Sequence, residues 1–231
     1  MRKLALLFAA ILVAGCGEKS PKEEAAAVEP LGDSAIEKAL EEAVEYDSLQ
    51  ERNDLYHQVN KTKPYSGWVK VLYDSGQAKA LARYKDGKQD GIFTTWHENG
   101  QKMEEGTYKD GDPDGPFAEW YESGQKRAEG AFRDGKQDGP FTAWHENGQK
   151  MEEGTYKDGD PDGPFAEWYE SGQKFGEGIY KRGAQVGRWT FWHENGQKQS
   201  EETRTKDGEK VSAKYWNSKG EEVETAEEAR K

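Results

Sequence analysis

Gly115-Pro-Phe-Ala-Glu-Trp-Tyr-Glu-Ser-Gly-Gln-Lys-Arg-Ala-Glu-Gly-Ala-Phe-Arg-Asp-Gly-Lys-Gln-Asp138 is the stretch on which the fold turns. Two segments of strand length, each carrying apolar residues, flank Ser123-Gly124, and a second turn signal, Asp134-Gly135, follows. In alternate units the first turn is Asn-Gly, at 99–100, 147–148 and 195–196, a pair whose residues both accept positive φ. Each unit therefore reads as a β-hairpin. The Asp-Gly turns at 110–111, 134–135 and 158–159 join one hairpin to the next, which makes the chain an antiparallel meander.

The unit recurs along most of the chain. Glycine returns with a 24-residue period at 67, 91, 115, 139, 163 and 187, and a second comb runs through 76, 100, 124, 148, 172, 196 and 220. Tryptophan follows the same period at Trp96, Trp120, Trp144, Trp168, Trp192 and Trp216, with Leu72 in the first copy, giving six units and a partial seventh. A 48-residue superperiod lies on top: Gly91–Lys126 repeats as Gly139–Lys174 except at Ile92/Pro140 and Thr95/Ala143.

Strand alternation assigns faces once the loop length is known. A two- or four-residue loop puts Phe117, Glu119 and Tyr121 on one face with Lys126, Ala128, Gly130 and Phe132, with Phe117 opposite Gly130. A three-residue loop puts Trp120 beside Ala128 and Phe132, and the sequence leaves both open. Either way, roughly 13 strands at about 4.8 Å each give a ribbon some 60 Å long.

Composition fits a thin sheet better than a thick core. The 231 residues hold 45 Asp+Glu against 33 Lys+Arg, a formal charge of -12, with 34% charged and 33% hydrophobic residues. Eight Trp, 11 Tyr and 8 Phe argue against disorder and make rings the main source of burial. The acidic balance excludes a nucleic-acid surface, which needs clustered Lys and Arg. A single cysteine excludes an intrachain disulfide.

Residues 1–15 join a basic start, Arg2-Lys3, to an apolar run from Leu4 to Val13, too short for a permanent membrane span, and read as a secretory signal. Leu12-Val13-Ala14-Gly15-Cys16 resembles the lipobox of bacterial lipoproteins, so Cys16 is expected to be the lipidated N-terminus. Cleavage removes Arg2 and Lys3 and leaves 31 positive and 45 negative side chains, a formal charge of -14. Acyl chains then hold the protein to the membrane. Gly17, in place of Asp, resembles the outer-membrane sorting pattern if the organism is Gram-negative.

Residues 16–33 have the composition of a flexible tether. Ile36, Ala39, Leu40, Ala43 and Val44 at three- and four-residue spacing, with the capping-box pattern Ser34-x-x-Glu37, predict an amphipathic helix over 34–52, covering the sheet end or docking a partner. A lead-in strand at 53–66, the repeat sheet at 67–220 and a charged tail at 221–231 complete the expected order.

The pattern Gly-x-Phe-x-x-Trp-(Tyr/His)-Glu-(Asn/Ser)-Gly-Gln-Lys-x-x-Glu-Gly-x-Tyr-Lys-Asp-Gly resembles the bacterial variant of the MORN repeat. Pro64-Tyr65-Ser66-Gly67-Trp68 with Tyr73-Asp74-Ser75-Gly76-Gln77 resembles that family's usual first repeat, and the resemblance covers about 65 to 220. It implies an all-β elongated antiparallel meander. It also brings the label of an antitoxin component of the YwqK type, an immunity role, and eukaryotic relatives that act as scaffolds at membranes and junctions. A lipid-kinase name attached to some members does not carry over, because the chain has no Gly-x-Gly-x-x-Gly, His-Arg-Asp or Asp-Phe-Gly motif.

His97, His145 and His193 follow the 48-residue superperiod, which sets them about 19 Å apart along such a sheet, and they cannot share a metal. Asp110, Asp112 and Asp114, with their copies Asp158, Asp160 and Asp162, reproduce the opening of a calcium loop. The closing Glu is missing, since Tyr121 and Tyr169 stand in its place, so an acidic turn is the plainer reading and a calcium-stiffened module the alternative. The tryptophans are candidate binding residues and also candidate packing residues. Acids such as Glu98, Glu122 and Glu146 recur equally in every unit without a distinctive nucleophile, which leaves no case for catalysis or a cofactor. The expectation is a monomeric, lipid-anchored scaffold of the cell envelope that binds an envelope protein or cell-wall material.

Overall fold

The computed structural model describes residues 31–230; the expected signal segment, Cys16 and the expected tether up to residue 30 lie outside the described residues. Helix α1 (Asp33–Glu42) is followed by β1 (Val44–Glu45), a single 3-10 turn (Tyr46–Ser48) and a hairpin of β2 (Leu49–Arg52) and β3 (Leu55–Gln58). The repeats supply β4 (Gly67–Leu72), β5 (Ala78–Lys85), β6 (Lys88–Trp96), β7 (Lys102–Lys109), β8 (Asp112–Trp120) and β9 (Lys126–Arg133). Then come β10 (Lys136–Gln137), β11 (Gly139–Trp144), β12 (Lys150–Lys157), β13 (Asp160–Trp168) and β14 (Lys174–Lys181). The chain closes with β15 (Ala184–Trp192), β16 (Lys198–Arg204), β17 (Lys210–Trp216), β18 (Glu222–Val223) and α2 (Ala226–Ala229).

From β4 onward the strands lie side by side in chain order, each antiparallel to the last, so the repeats form one long meander sheet. Strands β10 and β11 both pair with β9 and are one strand interrupted at Asp138. Among the described residues the one parallel contact is β1, whose Val44 and Glu45 pair with Val69 and Lys70 of β4.

The loop question resolves into a combination. Tyr121 N–H donates to the Gln125 carbonyl and Gly124 N–H to the Tyr121 carbonyl, both at 2.9 Å, which closes a three-residue loop. The register then shifts between Glu119 and Trp120: Trp120 faces Lys126, whereas Glu119 faces Ala128 and Phe117 faces Gly130. A bulge at Arg127 thus restores the pairing of an even loop, and it sends Lys126 to the Trp120 side rather than to the Phe117 side. Asn99, Asn147 and Asn195 do not take positive φ; Asn99 Oδ1 instead accepts from Gln101 N–H at 2.9 Å. Positive φ at both positions of a two-residue turn is found instead at the Asp-Gly pairs, such as Asp110 (φ 52°) and Gly111 (φ 102°), and also at Asn53–Asp54 and Arg182–Gly183.

One face carries a ladder of rings. Phe93, Phe117, Phe141, Phe165 and Trp189 stand opposite or beside Gly106, Gly130, Gly154 and Gly178, and a second row holds Tyr84, Tyr108, Phe132, Tyr156 and Tyr180. Their centroids are close, for example 4.8 Å for Phe117–Phe132, 5.5 Å for Phe141–Tyr156 and 4.9 Å for Tyr180–Trp189. Glycine is required beneath the rings: a Cβ on Gly130 would lie 2.8 Å from Phe117 Cε1 and 3.2 Å from Phe141 Cδ2.

The N-terminal segment differs from expectation. Instead of continuing to 52, α1 stops at Glu42, because Ala43 turns extended and Val44–Glu45 pair with the first repeat strand, satisfying an open sheet edge. The Ser34 capping box does not form; the helix starts on Gly32, whose carbonyl accepts from Ala35 and Ile36. The expected lead-in at 53–66 contains β3, paired with β2, and Tyr56 packs edge-on against Tyr84 at 5.6 Å. The tail is ordered too: β18 pairs with β17, and α2 carries a capping box between Thr225 and Glu228.

Candidate functional site

The face opposite the rings is built from three parallel rows. Trp120 faces Lys126, Ala118 faces Glu129 and Pro116 faces Ala131, and the pattern repeats in each later unit. Lys102, Lys126, Lys150, Lys174 and Lys198 each pair with the Glu three positions on, at 2.7 to 3.0 Å. Each also reaches the indole of the next unit, Trp120, Trp144, Trp168, Trp192 or Trp216, at 5.1 to 5.9 Å from the ring centroid. Lysine thus sits between a carboxylate and an indole in five consecutive units, and these five indoles are half-buried.

Trp96 is different, because α1 lies over it. Ile36 and Ala39 pack on Leu81 and Trp96, with Trp68 and Ala78 at the margin, and Lys70 Nζ donates to the Leu40 carbonyl at 3.0 Å. The repeat explains why the helix stops there: the positions of Ala78 and Leu81 become Lys102 and Glu105 one unit later, and stay Lys and Glu through Lys198 and Glu201. Beyond the helix the face is open. An apolar groove of about 420 Å³ runs between Ile92, Pro116, Ala118, Ala131, Pro140 and Thr142. A second hollow continues it past Pro164, Ala166 and Ile179.

The tryptophan row is held in place by a device that sequence reasoning missed. Tyr73 Oη donates to the Trp96 carbonyl, His97 Nε2 to Trp120, Tyr121 to Trp144, His145 to Trp168, Tyr169 to Trp192 and His193 to Trp216, at 2.6 to 3.0 Å. The alternation of Tyr and His is therefore an exchange of donors at one structural position. The signal was present in the sequence as the constant offset between each Tyr or His and the tryptophan of the following unit.

The aspartate turns are staples between units. Asp114 Oδ2 accepts from Asp134 N–H at 3.1 Å, and Asp162 Oδ2 accepts from Arg182 N–H at 3.2 Å while pairing with Lys181 at 2.8 Å. The Lys181 ammonium and the Arg182 N–H hold the Asp162 carboxyl below its usual range. Asp110 and Asp158 are turn residues with positive φ, and Asp112 and Asp160 begin strands. Among the described residues no three His, Cys, Asp or Glu side chains converge as a metal site.

Acidic residues do meet on the ring face. Glu104 stands opposite Glu119, and Glu152 opposite Glu167. Burial, and then the neighbouring Glu119, push the Glu104 carboxyl up to about 8. Burial also raises Glu119, Glu152 and Glu167, offset at Glu119 by Arg127 and at Glu152 by the Tyr156 hydroxyl.

Three stretches of the chain, 89–110, 137–158 and 185–205, match the family described as MORN repeat variant. They follow the 48-residue superperiod and fall on the hairpins β6–β7, β10–β12 and β15–β16. These stretches of the chain are therefore similar to MORN repeat variants. No curated protein matches it.

Proposed function

We propose that this chain of MORN repeat variant units is a lipid-anchored scaffold of the cell envelope that binds a protein or cell-wall partner along the tryptophan face of its sheet. MORN repeats serve generally in protein or membrane binding. The observation that carries the reading is the open apolar groove beyond α1, lined by Glu105 and Glu129 of the lysine–glutamate pairs and lying on the same face as the half-buried tryptophans. The helix itself supplies a precedent, since Ile36 and Ala39 bury against this face in the first two units. A rim of paired charges around an apolar floor is the anatomy of a recognition surface. The lipobox-like run ending at Cys16 supports the anchor, and Gly17 supports an outer-membrane address.

The test is affinity capture of the mature protein from its own envelope, with a Cys16→Ala control. Recovery of one partner that disappears in the mislocalised control agrees with the proposal. Equal recovery from both forms refutes the need for an anchor, and recovery of lipid alone removes the partner.

A further inference from the structure

We propose that Thr95, Glu104 and Glu119 form a binding site for a hard divalent cation of the calcium class on the ring face of the sheet. The three residues lie side by side on β6, β7 and β8, with Thr95 opposite Glu104 and Glu104 opposite Glu119. Directly opposed residues on one face have their Cβ atoms about 4.5–5.5 Å apart, so the three side chains share one patch.

Each member is left incomplete by the protein. Thr95 is 2% exposed, and its buried Oγ1 has no hydrogen-bond partner. Glu104 is 9% exposed and, among the described residues, takes part in no ion pair or side-chain hydrogen bond. Among the described residues Glu119 is reached only by the largely exposed Arg127, at 3.4 Å. A buried hydroxyl without a partner, beside two opposed carboxylates, is costly unless something neutralises the charge and satisfies the oxygens. With Glu104 giving up its proton on binding, three oxygen-bearing side chains carrying two negative charges suit a hard, doubly charged cation, with water free to fill the remaining positions.

The duplicated half of the sheet provides an internal comparison. Gly139–Lys174 repeats Gly91–Lys126 with two changes, one of which replaces Thr95 by Ala143. The glutamate pair survives there as Glu152 opposite Glu167, but the hydroxyl is gone and Glu152 accepts from Tyr156 Oη at 3.0 Å. Tyr108, the counterpart of Tyr156, makes no such bond to Glu104. The half that keeps the threonine leaves its acid unpartnered, and the half that loses it closes the site internally. The aspartate turns do not compete for this role, since Asp114 and Asp162 already hold the next turn.

Calorimetric titration of the chelator-treated mature chain with calcium chloride tests this. One calcium per chain is expected, weakened at least tenfold by Thr95→Ala and abolished by Glu104→Gln. Thr95→Ala reproduces the residue already tolerated at 143, so it keeps the test valid should Glu104→Gln fold poorly. No binding to the wild type, binding unchanged in Thr95→Ala or Glu104→Gln, or two calcium ions per chain would each overturn the proposal.

Discussion

His97 donates from Nε2 to the backbone carbonyl of Trp120 in the following unit, 3.0 Å away. The bond ties one hairpin to the next at the strand end where the indole leaves the sheet, and Tyr73, Tyr121 and Tyr169 make the same bond from alternate units. In a sheet whose stability is nearly a sum over neighbouring units, such bonds repeat their contribution at every junction.

Replacing His97 by Phe should therefore cost about 1–3 kcal/mol, because the ring is kept while a part-buried carbonyl loses its donor. Replacing it by Tyr should cost much less, since Tyr serves that position elsewhere. Urea denaturation of the two variants checks this. Equal losses would show that ring shape, not the donor, matters.

Helix α1 should be released by two substitutions beneath it. Changing Ala78 to Lys and Leu81 to Glu gives the first unit the pair carried by every later one, and removes the apolar floor under Ile36 and Ala39. Leu81 is 1% exposed, so burying Glu in its place is unfavourable while α1 stays docked. Amide exchange across 33–42 should rise sharply while β8 to β16 keep their protection. Unchanged protection of α1 would contradict the assigned role of Leu81.

The 24-residue period, the strand order and the meander were legible in the sequence because every unit repeats its turn glycines. The face assignment was not. A three-residue loop and a compensating bulge at Arg127 leave the same parity as a four-residue loop, and alternation alone cannot separate them. The Asn-Gly pairs drew attention as tight turns, whereas the Asp-Gly pairs perform that role; Asn99 instead uses its side chain to bridge to the Glu122 carbonyl at 2.7 Å. Helix α1 was visible in its spacing, but its end was not, since it depends on pairing between Val44 and Val69 of a strand beyond the β2–β3 hairpin. The tryptophans were found as candidates, yet the groove beside them comes from Pro116, Ala118 and Ala131, small residues that carry no signal until the register is known.

Glu104 sets a pH dependence. Its folded value of about 8 lies above the ordinary 4.5, so the folded chain holds this proton more tightly than the unfolded one. The contribution is full below about pH 4.5 and is lost as pH rises through about 8. In chelator-containing buffer the melting temperature should fall over that interval, and Glu104→Gln, which has no proton to lose there, should flatten the fall. A variant with the wild-type pH profile would mean that Glu104 is charged in the folded chain.

A partner seated on the tryptophan face is tested most directly by photo-crosslinking from defined positions in the native envelope. A photoreactive residue replacing Ala118 or Ala166 sits in the two hollows of that face, Glu167 lies on the ring face and Ser123 in a hairpin loop. One discrete adduct is expected from Ala118 and Ala166 and none from Glu167 or Ser123. Adducts from Glu167 or Ser123 without any from Ala118 and Ala166 would contradict binding on this face.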